Sequence, residues 1–119
     1  MTNDIFVGFE REPKAINEFM AQEGYTHVDK TKRCHIYTRP DNQWPQVFYH
    51  SRAEKTKADE VPHWQQSRHK IVSEANINFP FSDSDAITEA ERLSQKMVKS
   101  LDGVLYDSNL DEYFTKDEI

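Results

Sequence analysis

The amino-acid sequence predicts an α+β fold, a ferredoxin-like sandwich in which two helices cover one face of a mainly antiparallel sheet of four to five strands. Apolar residues recur at helical spacing in two separate segments, and each segment has a single apolar stripe. Between Ala75 and Phe79 apolar and polar residues alternate, as they do in a strand with one buried side. The elements follow in the order β-α-β-(β)-β-α-β, which leaves other α+β sheets open.

The first half of the chain contains a predicted strand, a helix and two β-prone patches. The apolar run at Asp4–Glu10 indicates a strand buried on both faces. Residues 13–23 are predicted to form a helix, because a proline suits its first turn and Gly24 suits a left-handed stop. The patches at Tyr25–Val28 and Cys34–Thr38 form either one long bulged strand or a tight hairpin.

The second half is predicted to contain a strand at Gln46–Ser51, the alternating strand, a long helix and a short last strand. The long helix begins near Ser82 or Ser84, either of which can cap it, and Gly103 closes it. The last strand is Val104–Asp107. The stretch "DNQWP" before the first of these elements is interpreted as a turn. The tail "SNLDEYFTKDEI" is expected to dock a last turn through Leu110, Tyr113 and Phe114.

Length and composition indicate one folded domain spanning residues 1–119. Apolar residues make up 36% of the chain and aromatic residues 12%, a content that disordered chains lack. The single cysteine excludes an internal disulfide, and the sequence has neither a signal-peptide pattern nor a membrane-length apolar run. We therefore expect a cytoplasmic protein that does not associate with membranes.

Charge is distributed unevenly along the chain, which carries a formal net charge of −6. Residues 25–70 are net basic and contain all five histidines, whereas residues 71–119 carry eleven acidic and four basic side chains. The overall acidity disfavours non-specific binding to nucleic acid, because phosphate repels it. The acidic C-terminal block instead favours a basic partner.

Motifs that carry metal or cofactor chemistry are not recognisable. The candidate ligands for a metal are Cys34, His35, His50, His63 and His69. Their spacing matches no zinc-binding pattern, and Cys34 and His35 would face opposite sides of a strand. Three glycines do not form a phosphate-cradling loop. We predict neither a cofactor nor a metal.

A further class of function to consider is RNA binding by exposed aromatic residues of the sheet. The candidate aromatics are Phe6, Tyr37, Phe48 and Tyr49. The sequence lacks the basic and aromatic signature of RNA-recognition domains, and strand aromatics are more often core residues. Nucleic-acid binding is therefore not the favoured interpretation.

About twenty residues, from Ser51 to Lys70, link two predicted strands, and loops of that length are commonly functional or hide a short helix. Trp64, together with Trp44 in the preceding turn, supplies aromatic rings beside Arg52, Gln65 and Arg68, the mix of Trp and Arg that interface hot spots favour. The alternative is that Trp64 only pins the loop onto the sheet.

The stretch "ANINFPFSDSDAITEAERLSQKMVKSLDGVLYD" resembles the ending of two small bacterial ferredoxin-like families. In these a strand, a long amphipathic helix, a glycine and a short Tyr-Asp strand close the domain, here Gly103, Tyr106 and Asp107. One family is the immunity proteins that neutralise toxins, and the other is the ribonuclease E inhibitor B type. The sequence lacks the Gly-Trp expected after Tyr-Asp in the second. Both resemblances imply a cytosolic acidic protein that binds another protein.

We therefore predict a non-enzymatic protein-binding module, of the immunity or inhibitor type, that blocks a basic, nuclease-like partner. The predicted partner-binding residues are Trp64, Glu89, Asp107, Asp111 and Glu112. Two other classes stay open. One is a small enzyme or a ligand- or metal-binding domain with a site around His50, His63 and His69, and the other is an RNA-binding sheet.

Overall fold

A computed structural model of the chain describes residues 2–30, 34–51, 64, 69–108 and 110–119. The strands are β1 (Thr2–Phe9), β2 (Thr26–Lys30), β3 (Cys34–Arg39), β4 (Asn42–His50), β5 (Ser73–Pro80), β6 (Val104–Asp107) and β7 (Glu112–Phe114). The helices are α1 (Ile16–Gln22) and α2 (Ser84–Leu101). Neither of these helices has the length and apolar character needed to span a membrane.

The strands form one antiparallel sheet in the order β2-β3-β4-β5-β1-β6-β7. The predicted α+β class with two helices and an antiparallel sheet is confirmed. The sheet, however, has seven strands within the described residues rather than four to five. The β-prone patches form a paired β2 and β3 rather than one bulged strand, and the tail supplies β7.

Strand β1 lies between β5 and β6, and its side chains alternate between two apolar clusters. Val7 and Phe9 belong to the larger cluster, the main core, which also contains the buried residues of both helices. Phe6 packs against the smaller cluster, which we call the second core and which contains Trp64, Ile71, Val104 and Tyr106. The prediction that this strand is buried on both faces is therefore confirmed.

Helix α1 is shorter than predicted but buries the expected residues. Ile16, Phe19 and Met20 recur at helical spacing and lie in the main core. The chain leaves the helix through Gly24, whose φ of +88° lies in the left-handed region. This confirms the predicted glycine stop, because a residue with a side chain would be strained there.

Helix α2 begins at a different cap from the predicted serines. The side chain of Asp83 accepts a hydrogen bond of 3.0 Å from the backbone N–H of Ala86. Neither Ser82 nor Ser84 occupies the cap position. An aspartate at this position satisfies an otherwise unpaired N–H and adds a negative charge at the positive end of the helix dipole.

The C-terminal end of α2 also differs from the prediction. Asp102, with φ 56° and ψ 50°, adopts the left-handed conformation that was expected at Gly103. Gly103 is instead required by packing, because a Cβ atom there would lie 2.7 Å from Cγ1 of Val7. The glycine thus allows the chain leaving the helix to approach the central strand closely.

Two segments predicted to be irregular are strands. Strand β4 begins at Asn42, inside the predicted turn, because the side chain of Trp44 packs against the main core and the turn is confined to the preceding residues. The tail forms β7 instead of a docked turn, because Tyr113 and Phe114 pair with Tyr106 and Leu105 of β6. Aromatic cross-strand neighbours stabilise such a pairing.

Candidate functional site

A cleft of about 390 Å³ opens between α2 and the strands β1 and β6. Its walls come from the start of β1, the residue after β5, one side of α2 and the end of β6. The lining includes Asp4, Ile5, Phe81, Ile87, Glu91 and Asp107. Because β1 and β6 are paired and α2 packs against both, residues far apart in sequence meet at this point of the surface. We call it the acidic cleft.

The carboxylates of Glu91 and Asp107 line the acidic cleft on the helix side of the sheet, and no described lining residue is Lys or Arg. Asp4 also lines the cleft, but its side chain lies on the opposite face of the sheet, as that of Phe6 does, and contacts Asn78 there. The apolar part of the lining includes Ile87 and the ring of Phe81, which is 54% exposed. A guanidinium or ammonium group pairs with carboxylates while its methylene stem covers apolar surface. The acidic cleft therefore has the chemistry to bind a basic side chain.

A hydrogen bond within the protein orients one of these two carboxylates. Oδ1 of Asp107 accepts a bond of 3.3 Å from the backbone N–H of Leu110. Among the ion pairs of the described residues, none involves Glu91. Its charge is thus available to an external cation.

Three of the predicted partner-binding residues lie together at the end of β6. Asp107 lines the acidic cleft, Asp111 is exposed in the turn that leads into β7, and Glu112 is the exposed first residue of β7. The carboxylate of Asp111 accepts a hydrogen bond of 2.9 Å from the hydroxyl of Tyr106. This bond anchors the turn on the second core and presents the acidic residues beside the cleft.

Glu89 does not belong to this group. It lies two residues from Glu91 on α2, which is about 200° around the helix, on the side that faces the end of α1. Its carboxylate accepts hydrogen bonds of 2.7 and 2.8 Å from the guanidinium of Arg92 and one of 2.8 Å from the hydroxyl of Tyr25. Burial alone would raise the pKa of Glu89, but the bonds from Arg92 and Tyr25 outweigh burial and lower it.

Arg92 extends this network to α1, because it also bonds Glu23 at 2.8 Å. Neutralising Glu89 removes the charged partner of Arg92 and Tyr25, so Glu89→Gln is expected to lower the free energy of unfolding by about 1 kcal/mol. Glu91→Gln, the matched change on the cleft side, is expected to leave it unchanged. Urea denaturation of both variants measures this difference, and equal stabilities would contradict the structural role of Glu89.

Trp64 is 5% exposed and lies in the second core rather than on the surface. Its indole N–H donates a hydrogen bond of 2.8 Å to the carboxyl group of Glu74, and its ring lies against Tyr106 and Tyr113. This placement favours the alternative in which Trp64 packs against the sheet, because a buried indole gains more from packing than from solvent contact. The neighbours predicted to act with it, Arg52, Gln65 and Arg68, lie outside the described residues.

Within the described residues, the histidines predicted as an alternative site do not form one cluster. His50 pairs in register with Glu74, and Nδ1 of His69 lies 3.2 Å from Oε1 of Glu10. His63 lies outside the described residues. Within the described part of the chain, no three His, Cys, Asp or Glu side chains are placed to hold a metal ion.

The strand register does place Cys34 beside His50, and His50 beside Glu74, on one face of the sheet. Cys34, His50 and Glu74 thus have the residue types and the order of a catalytic nucleophile, its base and an orienting carboxylate. Burial, together with the charge of Asp29, raises the pKa of the Cys34 thiol, and burial lowers the pKa of His50. Both shifts disfavour the thiolate–imidazolium pair that an activated cysteine needs.

The four sheet aromatics considered for RNA binding do not form a platform. Tyr37 and Tyr49 are 1% and 2% exposed and lie in the main core. Phe6 and Phe48 point to the opposite face, where both are cross-strand neighbours of Asn76. Because the four rings divide between two faces, they cannot stack successive bases on one surface.

No protein-family model matches the chain, and no significant match was found among curated proteins or solved structures. The function therefore has to be argued from the site itself.

Asp4, Phe81 and Glu91 line the cleft but are not among the binding residues predicted from the sequence. Asp4 is predicted only as the start of a buried strand. The signal that could have found Glu91 is its position four residues after Ile87, which places both on the same side of α2. For Asp4 and Phe81 such a signal is lacking, because only the pairing of β1 with β5 and β6 brings them to the cleft.

Proposed function

We propose that this chain is a non-enzymatic, acidic protein-binding module of the immunity or inhibitor type, and that it binds a basic partner such as a nuclease. The observation that carries the proposal is the acidic cleft, in which two carboxylates and an exposed Phe81 meet without a lining Lys or Arg among the described residues. Such a site accepts an arginine or lysine side chain of the partner.

The turn between β6 and β7 extends the proposed surface. Asp111 and Glu112 add negative charge beside the cleft, and Leu110, which is 60% exposed, adds an apolar contact. Charges of one sign steer an oppositely charged partner and fix its orientation. Exposed apolar side chains then supply contact area that excludes water.

We further propose that the fold has a ferredoxin-like centre. The order β4-β5-β1-β6 within the sheet supports this, with α1 between β1 and β4 in the chain and α2 between β5 and β6. Strands β2 and β3 would then be an inserted hairpin, and β7 an addition at the opposite edge. The single main core shared by the two helices supports their placement on one face of the sheet.

The proposal is tested by the affinity of the chain for a short, capped, arginine-rich peptide at low salt. A cleft variant carries Glu91→Gln and Asp107→Asn. A control variant carries Asp41→Asn and Asp117→Asn, two exposed carboxylates outside the cleft. Both variants lose two negative charges, so a purely non-specific attraction would weaken equally in both.

We expect the cleft variant to bind the peptide about tenfold more weakly than the unmodified chain, and the control variant to change by less than about twofold. A peptide with citrulline in place of arginine keeps the shape of the arginine side chain but not its charge. It should bind none of the three proteins measurably. Equal losses in the two variants would contradict a specific cleft. The partner class is tested separately by the neighbouring genes, because a toxin gene supports immunity and a metabolic operon does not.

A further inference from the structure

Two histidine side chains meet on the paired strands β2 and β3, away from the acidic cleft. Nε2 of His27 lies 3.3 Å from Nδ1 of His35, and the two rings are stacked with centroids 5.1 Å apart. The register explains the contact, because His27 pairs with Tyr37 and His35 lies two residues earlier on the same face of β3. The proposed function does not use this pair.

The histidine pair packs against the rings of two buried tyrosines. The ring of Tyr37 lies 5.1 Å from that of His27 and 6.5 Å from that of His35, and the ring of Tyr49 lies 6.3 Å from His35. Tyr37 is itself fixed, because it is 1% exposed and its hydroxyl donates a hydrogen bond to the side chain of Asn17. The imidazoles therefore rest on rigid aromatic neighbours of a paired sheet.

The separation of the two ring nitrogens matches that of two imidazoles on one metal ion. Zinc–nitrogen bonds of about 2.0–2.1 Å in tetrahedral geometry place the two nitrogens about 3.3 Å apart. Without a metal, one nitrogen must carry a hydrogen and donate it to the other. With a metal, each histidine moves its hydrogen to its other ring nitrogen, and both lone pairs face the ion.

We propose that His27 and His35 form a two-histidine site for a divalent transition-metal ion of the imidazole-binding class, namely Cu²⁺, Ni²⁺ or Zn²⁺. No three His, Cys, Asp or Glu side chains of the described chain are placed around one point, so the pair supplies two ligands and water completes the coordination shell. The order of affinities follows the general preference of nitrogen sites, with Cu²⁺ bound more tightly than Zn²⁺.

The test is a titration of the full chain with Zn²⁺ alone, under reducing conditions, followed through the histidine ring signals in NMR spectra. We expect the signals of His27 and His35 to shift together and to saturate. His27→Gln and His35→Gln should each weaken binding at least about tenfold, since loss of even an outer-shell partner of a ligand costs roughly 10–100-fold. His69→Gln, which removes a histidine that contacts Glu10, should leave the affinity unchanged.

A Cys34→Ser variant separates the histidine pair from the only thiol of the chain. Its side chain points to the other face of β3, so the affinity for Zn²⁺ should be retained. The proposal is overturned if the signals of His27 and His35 stay unmoved at about tenfold molar excess of metal. It is equally overturned if Cys34→Ser or His69→Gln abolishes binding. Far-UV circular dichroism confirms that each variant is folded.

Discussion

Replacing Trp64 with Ala is expected to lower the free energy of unfolding by about 3–4 kcal/mol, the largest effect we predict for a single side chain. The indole is 5% exposed, packs against Tyr106 and Tyr113, and donates its N–H to Glu74. The substitution therefore leaves a cavity in the second core and removes a hydrogen-bond donor from a buried carboxyl group. Equilibrium urea denaturation measures the loss.

Gly8 provides a matched test of the same packing. A Cβ atom at this position would lie 2.8 Å from two ring atoms of Trp64 and 2.9 Å from Cδ1 of Ile71. Gly8→Ala alone should therefore cost about 1–3 kcal/mol through overpacking. In the Trp64→Ala background the ring is absent and most of this cost should disappear. A double-mutant cycle with additive losses would contradict the placement of the indole over Gly8.

Glu74→Gln is expected to stabilise the protein by about 2 kcal/mol at pH 8 and to have little effect at pH 5. Burial of the Glu74 side chain raises its pKa to about 7; the hydrogen bond from Trp64 opposes this rise, and the nearby charge of Asp4 adds to it. In the unfolded chain the pKa is near the ordinary value of 4.5. Glutamine keeps an acceptor for the indole N–H but cannot ionise.

The direction of this pH dependence follows from proton binding. Between pH 4.5 and 7 the folded state binds more protons at Glu74 than the unfolded state does, so stability falls as the pH rises through this range. Above pH 7 both states are ionised and the contribution levels off. Thermal denaturation from pH 5 to 8 should show a steeper decline for the unmodified chain than for Glu74→Gln. Parallel profiles would contradict a buried, neutral Glu74.

Periodicity located most of the elements because it reflects local burial. The apolar stripe of α2 and the alternation of β5 each depend on one buried face, which neighbouring residues reveal by themselves. The predicted cap and the predicted left-handed residue each lie one residue away from Asp83 and Asp102, because several residues near a helix end can adopt either role.

The acidic cleft was only partly predictable. Asp107 was identified because it follows the last predicted strand in an acidic block. Asp4 joins it only through the long-range pairing of β1 with β6, which depends on contacts about a hundred residues apart in the chain. Glu89 was selected on charge alone, and charge does not reveal that Arg92 and Tyr25 bind its carboxylate within the protein.

The burial of Trp64 was one of two interpretations that the sequence left equal. A tryptophan in a long polar segment is equally suited to an interface and to an anchor. Which of the two roles Trp64 has depends on its packing against Gly8 and on its hydrogen bond to the buried carboxyl of Glu74. Only the assembled sheet brings these groups together. Similarly, the contact of His27 with His35 follows from the pairing of β2 with β3, which the sequence offered as one of two alternatives.

Amide chemical-shift mapping of the bound arginine-rich peptide tests most directly whether the acidic cleft is the binding surface. We expect the largest shifts along the acidic cleft and its adjacent turn, at Asp4, Phe81, Glu91, Asp107 and Asp111. Residues around Glu89 and around His27 are expected to remain unaffected. Shifts concentrated at Glu89, or spread evenly over all exposed carboxylates, would contradict a binding surface at this cleft.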